Sequence, residues 1–580
     1  MKQFDNVRAH KPEGIENRKA YIVGGGVAGL ATAVFLIDAC YVPGENVAIY
    51  DQLSLMGGSM DGAKIGDGKY TCRGERELEP YMECFWYLGN KIPSLYIPGR
   101  TITEETVDVN KADRIYAHSR ILYQQGKVWE GIRDFSMSPA LAKKLQEMIA
   151  MPEEKMNGMT IEEYFGDTFA EFQKHLIWQC FHTMLAFKEY HSMIEMKRYM
   201  VRFIQFQPKM DVLDGQIHTK HNEFDSYIDP ILHWLRDKGV HFVNGVTVTD
   251  LKMNGDCSAV TEIVGRSADG DFAIPVAEND MVISTLASMT QNSTHGDNTH
   301  AVVTDRGEEK GMFSVWQKLA ARDPKFGHPE KFCSTIEKSK WMSAFVCVKG
   351  YKEFCAKFRE KYGYPKDSVT GAISIMDSSW DISFILYDKY FANQAEDEDF
   401  LWFDGLYGER VGDYVKKPMA DCTGEEVMRE FLYHLGMLDE YDELMKHTYV
   451  SLTMMPYITS QFMPRNSKGD RPRVIPEGSK IYAFVGQYVE LDGDVVFTVE
   501  TSVRTAMMAA YGLTGINRKV LPLYQGQYDI RWLVMCMKKM LMTDELKFSD
   551  LPPINPLTVK RDVQGMLDFL NSVPEINWDD

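Results

Sequence analysis

The sequence predicts an α/β fold, and three observations carry that expectation. An apolar run ending at Tyr21–Val23 passes into Gly24, Gly26 and Gly29, spaced GxGxxG, and then into the helix-forming stretch LATAVFLIDAC. A second apolar strand, NVAIYD, ends on Asp51, 22 residues after Gly29. A third, Ile481–Val485, lies far downstream and leads through a polar loop into a helix from about Thr498. Strand, glycine turn, helix, strand and acid, in that order, describe a Rossmann-type βαβ unit. With the late strand, they predict a Rossmann-like domain assembled from separated segments.

Each part of the unit has a physical role. Gly24 permits the tight turn, Gly26 lets backbone approach a pyrophosphate, and Gly29 lets the helix pack closely on the sheet. The helix N-terminus directs N–H groups at phosphate oxygens, and Asp51 can accept hydrogen bonds from ribose hydroxyls. A second glycine-rich turn, GGSMDGAKIGDG, follows the acid and can wrap an extended dinucleotide, with Gly58 and Ser59 at its start. The helix beginning near Thr498 offers its N-terminus to the polar edge of a flavin ring. These two features favour FAD over NAD by fold-level analogy. Val246 and Ser288, from the middle segments, and Glu500 and Ser502, from the late helix, complete the expected cofactor set.

The remaining elements follow from pattern. HFVNGVTVTDLKM (241–253) and DMVISTLAS (280–288) are strand-like and are assigned to the nucleotide domain. Residues 100–210 carry helical apolar spacing rich in aromatic residues and methionine, and 300–475 mix helices and strands. WMSAFVCVKG and GAISIMD read as strands; TGEEVMREFLYHLGML reads as a helix capped by Thr423 and Glu426. DIRWLVMCMKKMLMTDE, near the end, predicts a helix apolar on most of its surface, with Lys538 and Lys539 together. It suits packing on the core, a membrane surface or a dimer partner. The expected division is a nucleotide domain from 1–100, 211–300 and 476–520, a mixed α+β substrate domain from 101–210 and 301–475, and a helical C-terminal region, 521–580.

A chain of 580 residues exceeds one compact core. Its hydrophobic fraction of 44% and charged fraction of 25% are those of a folded globular protein. The net charge of −19 argues against bulk nucleic-acid binding. Ten scattered cysteines without a CxxC pair suit reduced thiols and a cytoplasmic location. The polar opening MKQFDNVRAHKPEG is not a secretory signal, and no apolar stretch approaches 18 residues. No HExxH-like metal spacing occurs, so no metal is expected.

Several longer segments then carry a resemblance: HKPEGIENRKAYIVGGGVAGLA, GGSMDGA, RGERELEPYMECFW, EMKRYMVRF, HPEKFCSTI, KPMADCTGEEVMREFLYHLG and FVGQYVELDGDVVFTVETSVRTA. Over nearly its whole length the chain resembles the FAD-dependent fatty-acid hydratases, or oleate hydratases, once called myosin-cross-reactive antigens. That resemblance implies bound FAD and addition of water to an isolated double bond of an unsaturated fatty acid, without net redox change. It implies that Glu77, in Arg73–Leu78, polarises the attacking water and that Tyr199, in RYMVRF, protonates the alkene. Arg73 and Arg76 would fix the loop to the flavin. The expectation is of a buried carboxylate and a phenol sharing one cavity. The family tends to dimers, so a homodimer is also expected, and the apolar helix of the C-terminal region makes peripheral membrane contact a further expectation.

Three departures bear on the site. Glu75 replaces the second glycine of the family's R-G-G-R-E-M segment. Where the family has K-Y-N-Q, this chain has Lys220-His221-Asn222-Glu223, and a charged Glu223 would repel a fatty-acid carboxylate. In SWDISFILYDKYFANQ (379–394) the family's Thr and Asn positions are apolar or aromatic, its His position lies near Tyr390, and Lys389 could bind a carboxylate instead. The expectation is a lipid of different length or double-bond position, or a less charged one. Competing readings are a flavin-dependent lipid isomerase or oxidoreductase, and a non-catalytic lipid-binding flavoprotein.

Overall fold

The computed structural model describes residues 10–74, 77–112, 120–212, 214–365, 369–387, 389–547, 567–568 and 570–572. A five-stranded parallel sheet forms its nucleotide-binding half. Strand β1 (Ala20–Val23) is central, flanked by β2 (Val47–Asp51) and by Met281–Thr285. His241–Asn244 adds outside β2, and Tyr482–Val485 outside Met281–Thr285. Three distant stretches of chain thus meet in one sheet. Burial on both faces explains the nearly unbroken apolar runs of β1, Met281–Thr285 and Tyr482–Val485, whereas the edge strand His241–Asn244 stays half-exposed.

Helix α1 (Val27–Asp38) packs on this sheet, and Val27 through Leu36 are all buried. It also lies against the Val499–Thr514 helix, whose N-cap Thr498 accepts from the Thr501 N–H. The 241–253 stretch does not stay in the parallel sheet. After Asn244 the chain turns at Gly245 (φ +71°), and Thr247–Met253 pairs antiparallel with Val260–Ser267 in a separate three-stranded sheet.

An eight-stranded sheet forms the other half. Trp341–Lys349 lies between Thr448–Met455 and Glu398–Gly405, and Ile382–Tyr387 follows. Alternation divides its side chains: Val346, Phe384 and Phe403 face one core, whereas Phe345, Ile385 and Trp402 face the other. The Gly424–Leu435 helix covers the first face and begins with the expected Thr423–Glu426 capping box. Arg120–Tyr123, within the stretch read as mainly helical, joins the far edge of this sheet parallel to Ile373–Ile375. That pairing spans about 250 residues and leaves no local signal.

The Ile530–Met540 helix packs on the body rather than standing apart. Trp532, Val534 and Met535 are buried, and Cys536 Sγ approaches the Ile204 carbonyl at 3.6 Å. Lys539 reaches Asp211 at 3.3 Å and lies over the Phe135 ring. All ten cysteines are free.

Candidate active site

The two glycine turns are built against each other. Gly24 has φ +107°, and a Cβ there would strike the Thr285 side chain; one on Gly29 would overlap the Gly24 carbonyl oxygen. Gly26 caps α1 and bridges in parallel to Gly57, and the Gly57 N–H donates to the Gly25 carbonyl at 2.9 Å. Gly58 (φ +61°) sits so close that its Cβ would lie 2.9 Å from Gly26 Cα. Asp51 accepts from the Gly25 N–H (2.6 Å) and the Leu53 N–H (2.7 Å). Burial pushes its carboxyl pKa up.

This arrangement fits a dinucleotide. It offers the N-terminus of a 12-residue helix, backbone without Cβ atoms, and an acid at the end of β2. Ser59, Val499 and Ser502 line the cavity beyond it, so the second helix N-terminus faces the same space. Three further expected cofactor residues do not line this cavity. Val246 is buried beneath Asp51, its N–H donating to the Asp51 carbonyl. Ser288 Oγ is engaged with Thr290 Oγ1 at 3.0 Å. Glu500 turns away from the cavity: fully buried, it accepts from the Cys84 and Phe85 N–H groups and pairs with Arg504 at 2.7 Å. Arg76, like Glu75, lies outside the described residues.

Beyond the cradle is a cavity of about 200 Å³, walled mainly by apolar side chains such as Phe181, Met184, Phe203, Phe206 and Trp402. A second, polar hollow of about 50 Å³ adjoins it. Glu77, Gln216 and Ile385 line both, so Glu77 stands at the junction. Glu77 is exposed rather than buried. Its Oε2 accepts from Gln216 Nε2 at 2.5 Å. The adjoining residues form an antiparallel bridge, with Leu78 N–H to Ile217 carbonyl at 3.1 Å and the reverse at 2.9 Å. Arg73 lines the large cavity and donates to Asp61 at 2.8 Å.

Tyr199 does not line either hollow. It is fully buried in the Met193–Arg202 helix, against Phe187, Phe203 and Phe462. Its oxygen accepts from the Phe497 N–H at 2.7 Å. Burial first, and the charge of Glu195 next, push this phenol well above its usual range. Phe203 and Phe497, which do line the cavity, stand between it and Tyr199. The geometry therefore brings Glu77 to the cavity and leaves Tyr199 one layer behind.

Glu223, Lys389 and Tyr390 meet in the polar hollow with His218 and His221. Lys389 is exposed, Glu223 and Tyr390 are buried. Tyr390 is held by its carbonyl, which accepts the Asn222 N–H at 2.7 Å, and by Cys72 Sγ at 3.5 Å from its hydroxyl. Burial, then the charges of Lys220 and Lys389, push His221 down to about 4. Glu79 joins the cavity wall as a second carboxylate. It is 2% exposed, paired with Arg202 at 2.6 Å and Gln205 at 2.9 Å, and burial pushes its pKa up. Its place two residues after Glu77 is the only sequence signal it gives. Gln216 gives none.

A family model described as the MCRA family matches residues 17–511. The chain belongs to the MCRA family. It is 35% identical over 553 residues to an oleate hydratase of Streptococcus pyogenes serotype M49, covering 93% of each chain. It is 28% identical to a linoleate hydratase of Lactiplantibacillus plantarum, over 90% of this chain and 98% of that one. Among solved structures it resembles putrescine oxidase bound to putrescine (TM-score 0.51, 15% identity) and cyclohexylamine oxidase from Brevibacterium oxydans (TM-score 0.50, 14% identity). Each match covers 86% of this chain and 99% of the other, and the likeness extends to the fold alone.

Within this MCRA-family chain, one group of metal-capable side chains stands out among the described residues: Asp413, Glu430 and His434. It lies apart from both hollows. Glu430 accepts the N–H groups of Asp413, Tyr414 and Val415, and Asp413 accepts from Ser379. Its carboxylates are thus engaged in holding the 412–415 loop.

Proposed function

We propose that this chain is an FAD-dependent hydratase that adds water to an isolated cis double bond of an unsaturated fatty acid, giving a hydroxy fatty acid without net redox change. One observation carries the reading: the Glu77 carboxylate stands at the junction of an apolar cavity and a polar hollow. An acyl chain suits the first and water the second. The names of the curated relatives, oleate hydratase and linoleate hydratase, support the same chemistry.

The glycine turns, the α1 N-terminus and Asp51 would hold FAD, with Ser59, Val499 and Ser502 toward its ring. Bound FAD supplies shape and π-electron density beside the alkene. Glu77 takes a proton from water as the water oxygen bonds to one alkene carbon, and its charge favours the cation-like transition state. In our reading Tyr199 gives its hydroxyl proton to the other carbon. The Phe497 N–H then stabilises the phenolate oxygen, with help from the positive end of the Val499–Thr514 helix. Lipid entry must part Phe203 and Phe497 for this transfer. The proton on Glu77 returns to Tyr199 through solvent, which leaves the net addition of H2O. Lys389, with Tyr390, would receive the lipid's polar end in the polar hollow, and Glu223 would favour a head group less charged than a carboxylate.

We further propose peripheral membrane contact through the tail, where Tyr528, Ile530, Leu541 and Met542 are exposed. No helix among the described residues is long and apolar enough to cross a membrane. A homodimer is proposed from the family resemblance, and a cytoplasmic location from the scattered free cysteines.

Mass spectrometry of products from FAD-loaded protein, unsaturated lipids and heavy-oxygen water tests the reaction. Label in a hydroxylated product is expected. Glu77→Gln and Tyr199→Phe are each expected to lower its rate by about 10²- to 10⁴-fold with FAD retained. Normal rates in both variants would remove those roles. Stoichiometric anaerobic bleaching of the flavin without labelled product would favour an oxidoreductase.

A further inference from the structure

We propose that Gln216 positions Glu77, holding its carboxylate across the junction of the two hollows so that it meets water from one side and lipid from the other. This role rests on the hydration reading above.

Glu77 is exposed, and a glutamate at an exposed site ordinarily samples several rotamers, so holding it in one has an entropic cost. A base that must meet one water in one geometry needs that freedom removed, since small misplacements cost rate. Gln216 Nε2 lies 2.5 Å from Glu77 Oε2. Hydrogen bonds to an ionised acceptor are the short, strong ones. The contact also fixes the amide's sense, because an ionised carboxylate only accepts and the NH2 end must face it. The Gln216 side chain lines both hollows, as Glu77 does, so the pair as a whole forms the partition.

The backbone brings the two side chains together independently of the amide. Leu78 and Ile217, the next residues along, exchange two N–H to carbonyl bonds across 139 residues of chain. Substitution at 216 leaves that bridge intact, so the side chain's part can be separated from the fold's. Charged or titratable neighbours on the large-cavity side are Arg73, Glu79, Cys180 and Lys209; on the other side they are His218, His221, Glu223, Tyr387, Lys389 and Tyr390. Arg73 and Lys209 are directed to Asp61 and Asp214, and Glu79 to Arg202.

The test uses the full FAD-loaded chain and the labelled-water assay with a panel of oleate, linoleate and their methyl esters, reading kcat and KM separately across pH 5–9 on the lipid turned over fastest. Gln216→Leu is expected to lower kcat by about 10- to 100-fold with KM changed less than about 2-fold and flavin content unchanged. Gln216→Glu keeps the shape but sets two carboxylates in contact. Its activity is expected to be low at pH 8 and to recover toward pH 5, where the pair shares a proton and one acid again donates. Wild-type kcat and pH profile in both variants would overturn the role, as would a rise in KM with kcat unchanged. Absence of labelled product from the wild-type chain with every lipid of the panel would overturn the hydration reading and this role with it.

Discussion

Asp404 and Glu195 show how the same buried carboxyl group is settled in opposite states. Asp404 lies in the eight-stranded sheet opposite Ser343 and Ser383, 1% exposed, and neither carboxyl oxygen has a hydrogen-bonding neighbour among the described residues. Burial, then the nearby charge of Asp381, push its pKa well above the usual carboxylate range, which favours the neutral acid in the folded chain. Glu195 is equally buried, but against that desolvation Arg465, Arg471 and Arg198 bring it down to about 2. The sign for Asp404 follows. The unfolded chain releases this proton near pH 4 and the folded chain keeps it, so the folded state binds more protons and loses stability as pH rises. The loss runs at about 1.4 kcal/mol per pH unit until the folded group titrates. Asp404→Asn, nearly isosteric and never charged, is expected to match wild type in thermal melts at pH 4 and to melt higher at pH 7.5. Equal melting temperatures at both pH values would mean that the folded acid is ionised.

At the scale of elements, the glycine turns separate fold from ligand. A Cβ on Gly29 would overlap the Gly24 carbonyl oxygen, so α1 would have to lift from β1; one on Gly26 meets nothing nearer than Gly58 Cα at 3.6 Å. Gly26 also has extended backbone, φ −74° and ψ 178°, which alanine adopts. Gly29→Ala is therefore expected to lower unfolding stability by about 1–3 kcal/mol in denaturant titrations. Gly26→Ala should leave apoprotein stability unchanged while the flavin absorbance of the purified protein falls. Equal stability losses in both variants would contradict this division. The same contrast explains what was legible in the sequence. The turn, α1, β2 and the Thr423 capping box are enforced by neighbours a few residues apart, and local pattern reveals them. Glu500 is different. Its partners are the Cys84 and Phe85 amides, 416 and 415 residues away, and it ends a buried chain of charges through Arg504, Asp494 and Arg202 to Glu79. Nothing near residue 500 distinguishes that bracing role from a cofactor contact. Gln216 meeting Glu77, and Tyr199 standing behind Phe497, are likewise products of packing between distant segments. The family resemblance singled out Glu77 and Tyr199, and only the fold reveals their unequal access to the cavity.

For the whole molecule, charge and apolar surface oppose each other at a lipid bilayer. A net charge of −19 repels anionic membranes at long range, although screening confines that effect to about 10 Å in 0.1 M salt. Association must then come from apolar contact at one place. Around the Ile530–Met540 helix, Tyr528 is 80% and Met542 60% exposed, with Ile530 and Leu541 nearly half exposed. Burying side chains of this size contributes about 1.5–3 kcal/mol each, enough for reversible binding when four act together. Removing residues 525–580 would be a poor test, because Trp532, Val534 and Met535 pack inward and their loss would uncover the body beneath. Substituting serine at 528, 530, 541 and 542 leaves that packing intact. In co-sedimentation with phosphatidylcholine vesicles, the wild-type chain is expected to pellet with weak dependence on salt. The fourfold variant should bind at least about 10-fold more weakly and keep wild-type turnover on detergent-dispersed lipid. Equal pelleting of the two proteins would move the membrane contact away from this surface; strong salt dependence in the wild type would mean that charge, not apolar burial, drives it.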